Sequence, residues 1–155
     1  MDMFGSFFSP SGYLNEQIAR QMFDILPDSD LVVTIIDRNN HRWPSDSESF
    51  SKLNLSETLL ADLCDRIDDG DESVITETDS CSLIASVLST DKTNCGYVII
   101  AIPQGPETTL ANIGLFEVIF SQFNLIAKLI EKNNLLYELQ IKNNSVYGQK
   151  VCCVN

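Results

Sequence analysis

The sequence predicts an α+β fold: a central antiparallel sheet of five or six strands, flanked by helices, with a long helix at the C-terminal end. Helix-like and strand-like segments follow one another in the order α-β-β-α-β-β-β-α. Two of the strands are apolar on both faces, as the central strands of a covered sheet are. The last helix is apolar over more than one face, which indicates a second packing partner beside its own sheet.

Five strands are predicted from short runs rich in β-branched residues, separated by turn-forming residues. Their ranges are Leu31–Ile36, His41–Trp43, Ser73–Thr78, Ser82–Ser89 and Gly96–Pro103. The first and the fifth are apolar on both faces, so we place them as neighbours in the centre. The resulting antiparallel order is 2-1-5-4-3.

Two shorter helices precede the long one. Helical spacing starts at Leu14 and stops before Pro27, because the residue before a proline leaves the α region. Ser56 is a good N-cap for a second helix, which Gly70 closes. The polar stretch between residues 45 and 54 is predicted as a loop or one helical turn. We expect the middle segment to cover one face of the sheet and the terminal helices to cover the other.

The long helix is predicted from about Glu107 to Lys142, on the order of 50 Å at ~1.5 Å per residue. Its apolar residues form two neighbouring stripes, one for the sheet and one for another helix. Polar residues in such a stripe cost stability but select register and partner number. We therefore predict that the segment past Glu131 extends beyond the sheet and pairs with its counterpart in a homodimer. The predicted interface residues are Gln122, Ile126, Leu129, Asn133, Leu136 and Gln140.

A length of 155 residues predicts one domain with a real hydrophobic core. We assign residues 1–12 to an irregular arm, residues 13–142 to the domain with its long helix, and residues 143–155 to a flexible tail. The N-terminal stretch carries no basic export signal, and the longest unbroken apolar run is far too short to span a membrane. A cytoplasmic location is therefore expected.

The net charge of −12 is concentrated in one part of the chain. Between Asp24 and Asp91 there are 16 acidic and 4 basic residues, whereas the rest of the chain is balanced. Nucleic acids and anionic membrane surfaces require a basic patch, so both are disfavoured as partners. The acidity indicates solubility and points to no activity.

The strand order and two segments of sequence carry a family resemblance. The segments are the strand–turn–strand LIASVLSTDKTNCGYVIIAIP and the helix GLFEVIFSQFNLIAKLIEKNNLLYELQ. Over roughly Leu14 to Gln140 the chain resembles the GAF/PAS superfamily of sensory domains, and the GAF branch is the better match. The resemblance implies a signal-transduction module that dimerises through its terminal helices, with a signalling protein as a further partner.

The resemblance also implies a small-molecule pocket between the sheet and the middle helix. Its candidate lining is Trp43, Ile75, Ala85, Ser86 and Tyr97, and ordinary core packing of these residues is the alternative. The specialised GAF motifs are missing. There is no Asn-Lys-x-x-Phe motif of the cyclic-nucleotide binders, and no Cys-His pair of the bilin binders, since His41 has no cysteine beside it.

No catalytic set, cofactor motif or metal motif is found, so the sequence predicts a protein that is not an enzyme and needs no cofactor. His41 is expected as an exposed histidine of a hairpin. The acidic segment Asp65–Glu72 fails the EF-hand pattern, because Ile67 and Thr76 occupy positions that require oxygen ligands. We expect it to be a solvated end of a helix.

Two alternatives remain open. Cys64, Cys81 and Cys95 would serve a thiol-based redox sensor or an enzyme resembling the free methionine sulfoxide reductases, although the flanking motifs of that family are missing. The odd number of five cysteines, including the adjacent pair Cys152 and Cys153, instead favours reduced thiols that pack as small apolar residues. The other alternative is a structural adaptor whose pocket is filled by side chains.

Overall fold

A computed structural model describes residues 14–103, 107 and 111–152, so the predicted arm at residues 1–12 lies outside the described residues. The described chain contains one antiparallel sheet in the order β2-β1-β5-β4-β3, which confirms the predicted fold class and strand order. The strands are β1 Val32–Asp37, β2 Arg42–Pro44, β3 Ser73–Glu77, β4 Ser82–Ser89 and β5 Asn94–Ile102.

The two strands that are apolar on both faces, β1 and β5, lie side by side in the interior of the sheet. Every residue of β1 is buried, and in β5 only Asn94 is not. Gly96 lies opposite Asp37 in this central pair, with φ at +146°. A Cβ atom there would lie 2.0 Å from the carbonyl oxygen of Ile36. The close approach of the two strands at this point therefore requires glycine.

The helices are α1 Glu16–Phe23, α2 Ser47–Leu53, α3 Glu57–Asp68 and α4 Ile113–Cys152. Ser56 caps α3 as predicted, since its side chain accepts a hydrogen bond from the backbone N–H of Leu59 at 3.1 Å. The prediction of a loop or single turn before it understated α2, a helix of seven residues. Asp46 caps α2 by accepting from two backbone N–H groups, and Asn54 ends it in the left-handed conformation with φ at 49°.

The sheet separates two hydrophobic cores, as predicted from the position of the helices in the chain. On one face, α1 and α4 pack over side chains such as Val33, Ile84 and Ile100. On the other face, α3 packs over Ile36, Leu83 and others, and α2 lies at the border of this second core. The result is a three-layer domain with its terminal helices together on one side.

The bounds of α4 differ from the prediction at both ends. The continuous helix begins at Ile113, although Glu107 and Ala111 are also helical, and its backbone stays helical through Cys152 rather than ending at Lys142. Most of the stretch predicted as a flexible tail thus continues the helix. At 40 residues, α4 is about 60 Å long, which is longer than this small sheet can cover.

Candidate functional site

One face of α4 fastens the helix to the sheet. Phe116 and Phe123 are fully buried in the core beneath α4, and Ile119, Phe120 and Ala127 are buried beside them. Side chains one helical turn apart lie on the same face, so these five residues form a continuous contact with the strands. This aromatic stripe fixes the rotation of α4 about its own axis.

Polar contacts hold α4 to the β4–β5 turn. The side-chain oxygen of Asn124 accepts a hydrogen bond from the backbone N–H of Ser89 at 2.9 Å. Lys128 forms an ion pair with Asp91 at 3.0 Å. One turn later, the hydroxyl of Thr93 donates to Glu131 at 3.3 Å. Attachment of the helix to its own sheet therefore continues to Glu131.

Beyond Glu131 the helix leaves the sheet. None of the side chains described from Lys132 to Ser145 is buried, and only Asn134 and Tyr137 are half-buried among them. Leu136 and Leu139 are 59% and 56% exposed. The predicted extension past Glu131 is present, and it carries apolar side chains that its own domain does not cover.

The outer face of α4 carries a second apolar stripe, at the three- and four-residue spacing of a coiled-coil seam. The stripe consists of the a positions Leu115, Gln122, Leu129 and Leu136 and the d positions Val118, Leu125, Lys132 and Leu139. We call these eight residues the α4 seam. Its six apolar members are 43–59% exposed. Exposed apolar side chains grouped in this way are typical of interaction sites.

The α4 seam is rotated slightly from the predicted interface. Of the six predicted residues, Gln122, Leu129 and Leu136 belong to the seam, and Asn133 and Gln140 are exposed beside it. Ile126 is half-buried and packs against the core of its own domain, because the aromatic stripe turns that side of α4 toward the sheet. The predicted set did not include the other seam residues, Leu115, Val118, Leu125, Lys132 and Leu139. If Phe116, Phe120 and Phe123 are first assigned to the sheet, the heptad a and d positions on the opposite face identify the seam residues.

The predicted pocket residues do not come together in one place. Ala85 and Tyr97 are buried in the core beneath α3. Trp43 faces the other core, and Ile75 and Ser86 lie on that same side of the sheet, because successive residues of a strand point to opposite faces. The five residues therefore do not line a common pocket between the sheet and the middle helix.

Tyr97 belongs to a polar network that joins the sheet to the end of α3. Its hydroxyl donates to Asp68 at 2.6 Å and accepts from Arg38, and Arg38 also donates to Asp68 at 3.0 Å. Burial raises the pKa of Tyr97, and its hydrogen bond to Asp68 adds to this shift. The hydrogen bond with Asp68 likewise raises the pKa of Arg38. All three side chains have partners, so the network stabilises the packing of α3.

One opening among the described residues lies at the rim of the domain. It is an open cleft of about 490 Å³ between α2, the start of β1 and Pro103. Asp46 and Ser49 border this cleft, but both are used in capping α2, and Lys52 pairs with Glu48 at 2.8 Å. No residue of the predicted pocket borders it.

His41 contacts Asp37 in the β1–β2 turn, and the acidic segment Asp65–Glu72 lies at the end of α3. The ring Nδ1 of His41 lies 2.9 Å from Asp37, and Asp37 also accepts from the backbone N–H groups of Asn39 and His41. Together they order the β1–β2 turn, and the ring is 67% exposed. Across the described part of the chain, no three histidine, cysteine or acidic side chains are grouped closely enough to hold a metal ion.

The described cysteines are free thiols, and two of them are held in their protonated form. Burial raises the pKa of Cys64 and of Cys95 to about 11 in each case. Nearby acidic groups, Asp68 and Asp65 for Cys64 and Glu131 for Cys95, contribute to these shifts. Cys81 is buried. A reactive thiol requires the opposite surroundings, exposed and electropositive.

By length and composition alone, the segment Ile113–Ser145 is apolar enough to cross a membrane. Its most apolar stretch of 18 residues has a mean hydropathy of 1.6. The sequence argument from unbroken apolar runs did not reveal this. However, 28% of that 18-residue stretch is buried in the domain. A spanning helix would have to draw Phe116 and Phe123 out of the core, which makes the length and composition weak support for a membrane span.

Comparison of the chain with models of protein families, with curated proteins and with solved structures finds no match. A function is therefore argued from the α4 seam. The seam lies on a helix whose rotation about its own axis is fixed by packing against the sheet.

Proposed function

We propose that this protein is a regulatory module of GAF-like type that dimerises through α4 and has no catalytic activity of its own. The observation that carries the proposal is the α4 seam: six apolar side chains at heptad spacing, 43–59% exposed, on the outer face of an anchored helix. Burying a leucine side chain completely contributes about 1.5–3 kcal/mol. A surface of this kind is therefore costly to leave in water.

A second copy of the same chain fits this surface in charge. The acidic helix α3 lies on the far side of the sheet from α4. The described side chains of α4 are balanced instead, with the acidic residues Glu117, Glu131 and Glu138 and the basic residues Lys128, Lys132 and Lys142. Two strongly acidic domains can thus approach through their least charged faces. An anionic membrane surface would meet the net charge of −12 and be repelled.

The regulatory part of the proposal rests on the resemblance to GAF domains and on the length of α4. α4 is fixed to the sheet up to Glu131 and continues beyond it. It therefore connects the domain rigidly to any partner that its later part contacts. Binding of a small molecule near α2 and α3, and contact with a signalling protein, stay predictions. Of the openings described, the rim cleft beside α2 is the place to look for such a molecule.

Sedimentation equilibrium of the intact chain at micromolar concentration tests the proposal. We expect a mass twice that of the 17.3 kDa chain. A second run in a mild detergent separates association of two copies from membrane affinity, since only the latter would add bound detergent to the mass. A monomer at every concentration, with the helix content unchanged, contradicts the proposal.

The thiol alternative receives less support. The raised pKa values of Cys64 and Cys95 leave few thiolates at neutral pH, and the thiolate is the reactive form. We therefore keep the dimeric regulatory module as the conclusion.

A further inference from the structure

The α4 seam contains two polar residues, and their positions restrict how two copies can pair. Gln122 is an a residue near the start of the seam, and Lys132 is a d residue past its middle. A polar residue in a seam is tolerated where it meets another polar group and is costly against an apolar one. The two residues therefore discriminate between orientations of the second copy.

A parallel, in-register pair places each residue of the α4 seam opposite itself. Lys132 would then face Lys132 of the second copy inside the seam, and two like charges at close range repel each other. No acidic residue of the seam is available to separate them, because the seam contains no aspartate or glutamate. The parallel arrangement is thus unfavourable at this position.

Reversing one helix places a residues opposite d residues. One such register sets Gln122 against Lys132 of the second copy, and it does so twice because the pair is symmetric. The same register sets Leu115 against Leu139, Val118 against Leu136, and Leu125 against Leu129. Every apolar residue of the seam then meets an apolar one, and every polar residue meets a polar one.

The neighbouring antiparallel registers lack this match. A shift by one heptad in either direction places Lys132 against a leucine, Leu115 in one case and Leu129 in the other. Near the centre of the matched register the two copies of Lys128 flank the seam. Each is paired with Asp91 of its own domain at 3.0 Å, which offsets their repulsion.

We infer that two copies associate through antiparallel α4 helices in the register that pairs Gln122 with Lys132. This inference rests on the proposed function, and it adds the orientation. The register also sets the part of α4 that leaves the sheet after Glu131 against the early part of the other α4, which its own sheet anchors. Each projecting half thereby gains a rigid support.

The test is a pair of opposite charge changes at one position, measured as dimer dissociation constants of the full chain. In the antiparallel register Gln122→Glu faces Lys132 and should tighten the dimer by about tenfold over its two symmetric contacts. Gln122→Lys faces the same lysine and should weaken it by a similar factor. Gln21→Glu and Gln21→Lys on the polar outer face of α1 change the net charge equally and are the controls.

A parallel dimer gives a different pattern, because residue 122 then faces itself. Both Gln122→Glu and Gln122→Lys would weaken the dimer, and that result overturns the inference while leaving the proposed function standing. Equal dimer affinities for both variants also overturn it. A further check is the double variant Gln122→Lys with Lys132→Glu, which should restore dimerisation only in the antiparallel register. Absence of any dimer in the unmodified protein contradicts the proposed function itself.

Discussion

Replacing Leu129 and Leu136 together with glutamate should convert the proposed dimer into a folded monomer. In the single chain the two side chains are 53% and 59% exposed, so roughly half of each remains to be covered by a partner. Covering that half contributes about 1 kcal/mol per leucine. A dimer contains four such leucines, and their loss is worth about 4 kcal/mol, which weakens association by roughly a thousandfold. Carboxylates placed against apolar side chains add to this loss.

The same substitutions should leave the fold of the single chain nearly intact. Substitutions at exposed positions that take part in no helix cap, hydrogen-bond network or strained turn change the free energy of unfolding by about 0.5 kcal/mol or less. The matched contrast is Phe123→Ala on the opposite face of the same helix, where the side chain is fully buried. That change should cost about 3–5 kcal/mol of folding stability. A double Gln17→Glu, Gln21→Glu variant of α1 adds the same charge away from the α4 seam.

Sedimentation equilibrium and urea unfolding, run side by side on these three variants, separate the possible results. We expect the leucine variant to be monomeric and folded, and the glutamine variant to stay dimeric. A leucine variant that stays dimeric would place the interface elsewhere. A leucine variant that unfolds would show that Leu129 and Leu136 belong to the core of the domain, and the reasoning from exposure would be refuted.

Two further predictions concern the domain itself. Gly96→Ala should destabilise the protein by about 3 kcal/mol or more in urea unfolding, because its Cβ would lie 2.0 Å from a carbonyl oxygen of the neighbouring strand. Gly70→Ala, also at positive φ but with no atom within 4 Å, should cost about 1 kcal/mol, and equal losses would contradict the assignment of the clash. Cys64 should be alkylated slowly at pH 8, with about a hundredfold less thiolate than a thiol of pKa 9.0 has, and faster as the pH approaches 11. Peptide mapping by mass spectrometry distinguishes Cys64 from the other cysteines, and rapid alkylation of Cys64 at pH 8 would revive the thiol alternative.

The strand order was predictable from the sequence because burial on both sides of a strand leaves a direct mark in composition. β1 and β5 carry apolar residues at consecutive positions, and only the centre of a covered sheet requires that. Helix α2 left no such mark. It has no fully buried residue, and only Phe50 and Leu53 give its sequence a helical apolar spacing, so the cap at Asp46 was its clearest signal.

The pocket lining and the exposed face of α4 were predicted less well, for two different geometric reasons. Ala85 and Ser86 are neighbours in one strand and so cannot face the same side, which the two-residue period of a strand would have shown in advance. On α4 the sequence offered two apolar stripes without saying which one the sheet takes. Ile126 suits either surface as a side chain, and only the packing of Phe123 on the strands decides the rotation of the helix.

The part of α4 after Glu131 is hard to explain for a single copy of the chain. It contains Asn133, Asn134, Asn143 and Asn144, residues with poor helix propensity, and none of its side chains described to Ser145 is buried. A helix gains most of its stability from packing of an apolar face, and the apolar side chains Leu135, Leu136, Leu139 and Ile141 of this part are exposed in the single chain. The apolar residues that it does carry at seam positions are Leu136 and Leu139. If these two rest on Val118 and Leu115 of a second copy, the contact that holds the dimer together is also the one that keeps this segment helical.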